Sequence, residues 1–167
     1  MREITYIKRT NERFDKFVDA MNKKEMEQKP TKWYNRKSVF YYKNYREGVL
    51  FGDNTQITYL KDRNILSSLR YNKECYSLES MFDTAYKDLN DMKEAKMIEG
   101  ITGENKKAYK LVNDDIEVFV YQNILGDFPK GSRLLIRKAN LPVIVEYKGE
   151  IIKIVLPFVN VQEFKEV

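Results

Sequence analysis

The spacing of apolar positions along the chain changes several times, and each change marks an element. The opening stretch "REITYIK" alternates apolar and polar residues, which predicts a short strand. After Thr10, residues Phe14, Phe17, Val18 and Met21 fall at i, i+3, i+4 and i+7. That spacing predicts an amphipathic helix over roughly 11–27, which Pro30 keeps from continuing. From Ser38 to Phe51 strand formers run together, Gly52-Asp53-Asn54 reads as a turn, and "TQITYL" alternates as the second strand of a hairpin. "NILSSLRY" fits either a third strand or a helical turn.

The clearest periodic segment follows. Ser77 stands as N-cap before Leu78, Met81, Phe82, Ala85, Tyr86, Leu89 and Met92, then Met97 and Ile98, with Gly100 as the stop, so a helix is expected over 78–98. Beyond it the pattern is of strands: "KAYKLV", a turn at Asn113-Asp114-Asp115, "IEVFVYQNIL", a Gly126 to Gly131 loop carrying Pro129, then "SRLLIRK". Last come "PVIVEY" and "EIIKIVLPF", joined through Lys148-Gly149 in a two-residue X-Gly loop typical of hairpins.

Helix, two or three strands, helix and four or five strands make a single α+β domain spanning 1–167, with antiparallel strands and two main helices. The same order occurs in OB-folds, so a partly closed, OB-like barrel is the alternative to an open sheet. Periodicity assigns the core to Phe14, Phe17, Met81, Phe82, Tyr86 and Leu89, with Val143, Val145, Ile152 and Ile154 from the last hairpin.

Composition narrows the chemistry. With 167 residues, 43% apolar and 33% charged, the chain is expected to fold around its own core without disulfides or metals. The first residues never form the apolar region of a signal peptide, and charges interrupt the most apolar run, "LPVIVEYKGEIIKIVLPFV". A cytoplasmic protein that does not enter membranes is the expectation. A lone Cys75 allows no internal disulfide. The absence of histidine removes the commonest general base and most zinc sites, so no enzyme, cofactor or metal is expected.

Charge is uneven. Residues 1–50 carry 13 Lys+Arg against 7 Asp+Glu, whereas 51–100 carry 7 against 9 and 101–167 carry 10 against 9. Nearly all the basic excess therefore lies in the first third, which points to a polyanionic partner. The same third holds "KWYNRKSVFYYKNYREG", where Trp33, Tyr34, Phe40, Tyr41, Tyr42 and Tyr45 are interleaved with Lys32, Arg36, Lys37, Lys43 and Arg46. Read as one extended strand over 33–46, Trp33, Lys37, Val39, Tyr41, Lys43 and Tyr45 share one face, while Tyr34, Arg36, Phe40, Tyr42 and Arg46 share the other. Rings and cations are mixed on both faces, which is what sequence-tolerant binding of single-stranded DNA or RNA uses. Rings stack on bases at about 1–3 kcal/mol each, and Lys/Arg neutralise phosphates.

The expected nucleic-acid-binding residues are thus Lys32, Trp33, Tyr34, Arg36, Lys37, Tyr41, Lys43, Tyr45 and Arg46. An AT-rich coding bias and an ordinary strand core account for the same tyrosines and lysines. The composition fits a phage or mobile element, and Tyr, Trp and Arg are also interface residues, so a small protein that binds and redirects a host protein is the alternative. A second alternative is an Mg-dependent nuclease, because Asp127 followed by "VIVEYK" is similar to the PD-(D/E)xK nucleases, with Glu146 and Lys148 in the matching places. The D/E-x-K triplet recurs at Glu27, Asp91, Glu94, Glu104 and Glu163, so it is not specific. Asp114, Asp115 and Glu117 read as turn and solvated strand positions.

Overall fold

The computed structural model describes residues 40–52, 55–61, 72–159 and 163–167. The strand expected in "REITYIK", the 11–27 helix with Phe14 and Phe17, and the element expected at 64–71 lie outside the described residues. The strands are β1 (Phe40–Tyr45), β2 (Gly48–Gly52), β3 (Gln56–Leu60), β4 (Asn72–Glu74), β5 (Lys93–Glu94), β6 (Lys96–Ile101), β7 (Lys107–Asn113), β8 (Ile116–Tyr121), β9 (Arg133–Ile136), β10 (Val143–Tyr147), β11 (Glu150–Val155) and β12 (Lys165–Glu166). Two α-helices, α1 (Ser77–Asp88) and α2 (Gln122–Leu125), complete a mostly-sheet α+β fold whose pairings are antiparallel except between β1 and β4. The described residues fall into two compact units, one drawn from Met1–Asn54 and Tyr59–Glu79, the other from Thr55–Thr58 and Ser80–Val167.

In the first unit the run from Ser38 to Phe51, expected as one strand before the Gly52-Asp53-Asn54 turn, is over its described residues a hairpin of two strands. β1 ends at Tyr45, the chain reverses through Arg46-Glu47, and β2 returns antiparallel with Tyr45 opposite Gly48 and Tyr41 opposite Gly52. Arg46 adopts φ 49° to make the turn. A two-residue hairpin loop usually declares itself by Asn-Gly or Asp-Gly, and Arg-Glu carries no such signal, so the reversal was hidden within one run of strand formers. All five residues of β2 are buried. A strand covered on both faces has no polar–apolar alternation, which is why "GVLFG" reads only as an apolar run. β4 lies on the other side of β1, in parallel, with Tyr41 opposite Lys73 and Tyr42 opposite Glu74.

In the second unit one sheet has the order β3–β11–β10–β9–β5, with β3 contributing Gln56–Thr58, and the other β12–β6–β7–β8. Neither order returns on itself, so the OB-like closure is not formed. Closing a barrel requires tilt and stagger that bring the outer strands together, whereas these sheets end on the two-residue strands β5 and β12 and on β8. The last hairpin is as expected: Val143, Val145, Ile152 and Ile154 are all buried. Its Lys148-Gly149 loop has φ 51° and 81°, the two positive values that match the twist of antiparallel strands. Lysine carries a Cβ penalty in that conformation that asparagine largely escapes. Lys148→Asn is therefore expected to raise stability by about 0.5–1 kcal/mol, read from the urea midpoint with an unchanged slope.

The helix expected over 78–98 stops at Asp88, passes through a 3-10 turn at Leu89–Asp91 and gives way to β5 and β6. Leu78, Phe82 and Ala85 form its buried stripe, Tyr86 and Leu89 are half-buried, and Met81, assigned to the core by its spacing, is 37% exposed on the flank. Met97 and Ile98 fit a helical repeat as well as a strand. Residues Lys96 to Ile101 pair with Val112 back to Lys107, and those ladder hydrogen bonds override the helix propensity of "KEAK". Gly100, read as a stop, is a strand residue. "IEVFVYQNIL" likewise divides: β8 ends at Tyr121, and α2 closes on Gly126, whose N–H donates to Gln122 O at 3.0 Å. Lys153 Nζ donates to the freed Leu125 carbonyl at 2.8 Å, placing a cation where the helix exposes its acceptors. Among the described residues no helix is long and apolar enough to cross a membrane.

Candidate nucleic-acid interface

Of the nine residues expected to contact nucleic acid, Lys32, Trp33, Tyr34, Arg36 and Lys37 lie outside the described residues, and Tyr41, Lys43, Tyr45 and Arg46 occupy the first hairpin. Alternation along β1 places Tyr41, Lys43 and Tyr45 on one face, as expected from spacing. Their environments differ.

Tyr45 is only 6% exposed, packed edge-on against Tyr59 with centroids 6.2 Å apart and rings at 84°. The Arg46 guanidinium lies 5.4 Å from the Tyr45 centroid. Tyr45 is therefore a core ring rather than a stacking platform, because the edge-to-face contact and the guanidinium occupy its approaches. Arg46 itself is exposed, but in the turn and not on the strand face where spacing put it. Tyr41 is half-buried.

Lys43 is the centre of the arrangement. Its Nζ donates to Glu74 Oε1 at 2.9 Å, across the parallel β1–β4 pair, and stands 4.1 Å from the centroid of Tyr76. The hydrogen bond to Glu74 holds the Lys43 ammonium above its ordinary pKa, with partial burial opposing it and the Glu74 charge adding to it. Tyr76 is 70% exposed, the most open aromatic among the described residues whose large apolar side chains face solvent. The backbone ties this corner together: Cys75 N–H donates to Tyr42 O at 2.9 Å, which extends the β1–β4 ladder and delivers Tyr76 to the rim beside Lys43 before α1 begins. Cys75 is half-buried, with Sγ 2.9 Å from Ser77 Oγ.

Sequence reading missed Tyr76 and Glu74 because the parallel pairing of β1 with β4 joins residues some thirty positions apart. The available signal was local. Tyr76 falls outside the apolar stripe of Leu78, Phe82 and Ala85, so an aromatic there has no core position to fill.

The residues of the nuclease reading also lie among the described residues. Glu146 accepts from Arg133 Nε at 3.0 Å and Nη2 at 2.7 Å, a fork that engages one carboxylate oxygen. Lys148 sits in the hairpin loop and Asp127 in the Gly126 to Gly131 loop. Among the described residues no three Asp, Glu or Cys side chains converge on a common point that a cation could occupy. Asp114 and Asp115 form the β7–β8 turn, and Glu117 is exposed on β8. Comparison with protein-family models, with curated proteins and with solved structures finds no match for this chain.

Proposed function

We propose that the protein binds single-stranded nucleic acid with little sequence preference, through the rim of the first hairpin. The observation that carries this reading is Tyr76: a ring 70% open to solvent, with an ammonium 4.1 Å from its centroid and with Tyr41 on the same strand face as that ammonium. A base stacks on such a ring regardless of its identity, and the neighbouring cation keeps the phosphate path favourable.

The roles shift from those that spacing alone assigned. Tyr76 and Tyr41 are the stacking rings, with Trp33 as a third. Arg46, exposed in the turn, and Lys32, Arg36 and Lys37 supply the phosphate contacts. Lys43, already paired with Glu74, orients Tyr76 and neutralises less than one full phosphate.

Titration with a labelled oligothymidine strand tests this. Tyr76→Ala is expected to weaken binding by about 1–3 kcal/mol without changing the salt dependence, since stacking releases no counterions. Arg46→Ala should flatten the log–log salt slope by about 0.7, the value for one phosphate on a single strand. Trp33 is the only tryptophan, so its fluorescence should be quenched as the strand binds. A duplex that binds better than the single strand, or a strand that stays free at low salt and micromolar protein, rejects the reading.

A further inference from the structure

Residues 163–167 lie along the outer edge of β6, in the second unit, and only one of them, Phe164, is not exposed. β12 pairs Lys165 with Ile101 and Glu166 with Gly100, and Val167 N–H donates to Glu99 O at 3.2 Å. Glu163, Lys165, Glu166 and Val167 are exposed, whereas Phe164 is half-buried. Its ring fills the space a side chain at Gly100 would need: a Cβ there would fall among the Phe164 ring atoms and 2.6 Å from Lys165 O.

The ladders bring the rest of a recognition site to the same face. Ile98 stands opposite Lys110, and Lys110 opposite Phe119, so all three lie on the side of the sheet that Gly100 shares. The Phe119 ring meets Phe164 at 5.3 Å and 65°. Lys110 Nζ is 5.6 Å from the Phe164 centroid and 3.5 Å from Glu166 Oε1. On the opposite edge Phe158 is tied to β8: its N–H donates to Phe119 O at 3.0 Å, and its ring stacks on Tyr121 at 4.1 Å and 13°. The chain that leads into 163–167 is thus tethered to the same sheet by contacts that do not involve Phe164.

A strand edge for main-chain hydrogen bonds, a glycine notch for one ring and a lysine that reads an acid two residues later are the parts of a β-augmentation groove. We propose that the β6 edge is a peptide-docking site for an aromatic–x–acidic segment in extended conformation. The chain's own 163–167 occupies it in cis and yields to a peptide of the same pattern. One ring, one long ion pair, a two-residue ladder and the Val167 N–H bond to Glu99 O hold the segment, so its release leaves the core of the unit untouched. Tethering supplies the segment at an effective concentration on the order of millimolar, and this masks the site from dilute peptide in the unmodified chain. Apparent affinity falls by the fraction of sites left open.

The test uses a fluorescent peptide with the sequence of 163–167, followed by anisotropy on the full chain. Phe164→Ala removes the cis anchor and should bind the peptide at least tenfold more tightly than the unsubstituted chain does. Adding Gly100→Ala to that variant should abolish binding. Adding Lys110→Glu should weaken it, with recovery when the peptide carries the Glu166→Lys change. A Phe164→Ala chain that keeps its circular dichroism spectrum and melting transition yet shows no saturable binding, or that binds a scrambled peptide equally well, overturns the proposal and leaves 163–167 as a fixed edge strand. Should Phe164→Ala not fold, hydrogen exchange of the unsubstituted chain decides. Release of the segment predicts that the Val167 amide exchanges at least tenfold faster than the Val118 and Val120 amides, which alternate with the Phe158-facing Phe119 and point into the β7–β8 ladder, and equal protection overturns it.

Discussion

Phe82→Ala is expected to cost about 3–5 kcal/mol, the range for deleting a buried aromatic ring and leaving its cavity. Phe82 is 0% exposed and is the largest fully buried side chain among the described residues. It sits in the middle turn of α1, flanked on its stripe by Leu78 and Ala85, which are buried as well. Deleting a fully buried ring loses its transfer free energy and leaves a void that close-packed surroundings only partly fill, so the transfer term and the cavity term add. With a urea slope of about 2 kcal/mol per molar, the unfolding midpoint should fall by about 2 M. Met81→Ala is the internal control. Its side chain is 37% exposed, and the same measurement should return less than about 1 kcal/mol. Equal losses at the two positions would mean that α1 faces the core differently.

Gly48→Ala is expected to destabilise by about 3 kcal/mol or more, although it adds a single methyl group. Gly48 begins β2, and a Cβ there would run into the Leu60 carbonyl oxygen and come within 2.9 Å of both the Leu60 carbonyl carbon and Lys61 Cα. These are backbone atoms, with no rotamer by which to move aside, so the strands must separate and lose ladder hydrogen bonds. Gly149→Ala provides the contrast. It meets no atom within 4 Å but has φ 81°, so it pays only for the left-handed conformation, about 1–2 kcal/mol. Thermal melts should rank Gly48→Ala well below Gly149→Ala. The reverse order would show that the close approach of Gly48 to Leu60 is absent in solution.

Three features of the sequence determined their structure unaided. Lys148-Gly149 between two apolar runs made a hairpin, because a two-residue loop with two positive φ values is a local requirement that glycine meets directly. Leu78, Phe82 and Ala85 made one face of a helix, because their spacing already matches the helical period. Val143, Val145, Ile152 and Ile154 went inside, because a run of β-branched residues has no better place than a covered sheet.

Tertiary structure alone decided the rest. "KEAKMIEG" satisfies helix and strand periods equally, and only the presence of β7 as a partner made it β6. Gly100 owes its identity to a ring 64 positions later in the chain, which no local signal announces. Tyr45 and Tyr41 stand on the same face of one strand, and the sequence treats them alike. Packing against Tyr59 buries the first, while the parallel pairing of β1 with β4 brings Glu74 to Lys43 and leaves Tyr76 open at the rim. The physical reason is common to all of these cases. Periodicity and turn chemistry report what a residue's near neighbours permit, but exposure, charge pairing and close approach depend on which distant strand lies alongside, and pairing is chosen by the whole sheet.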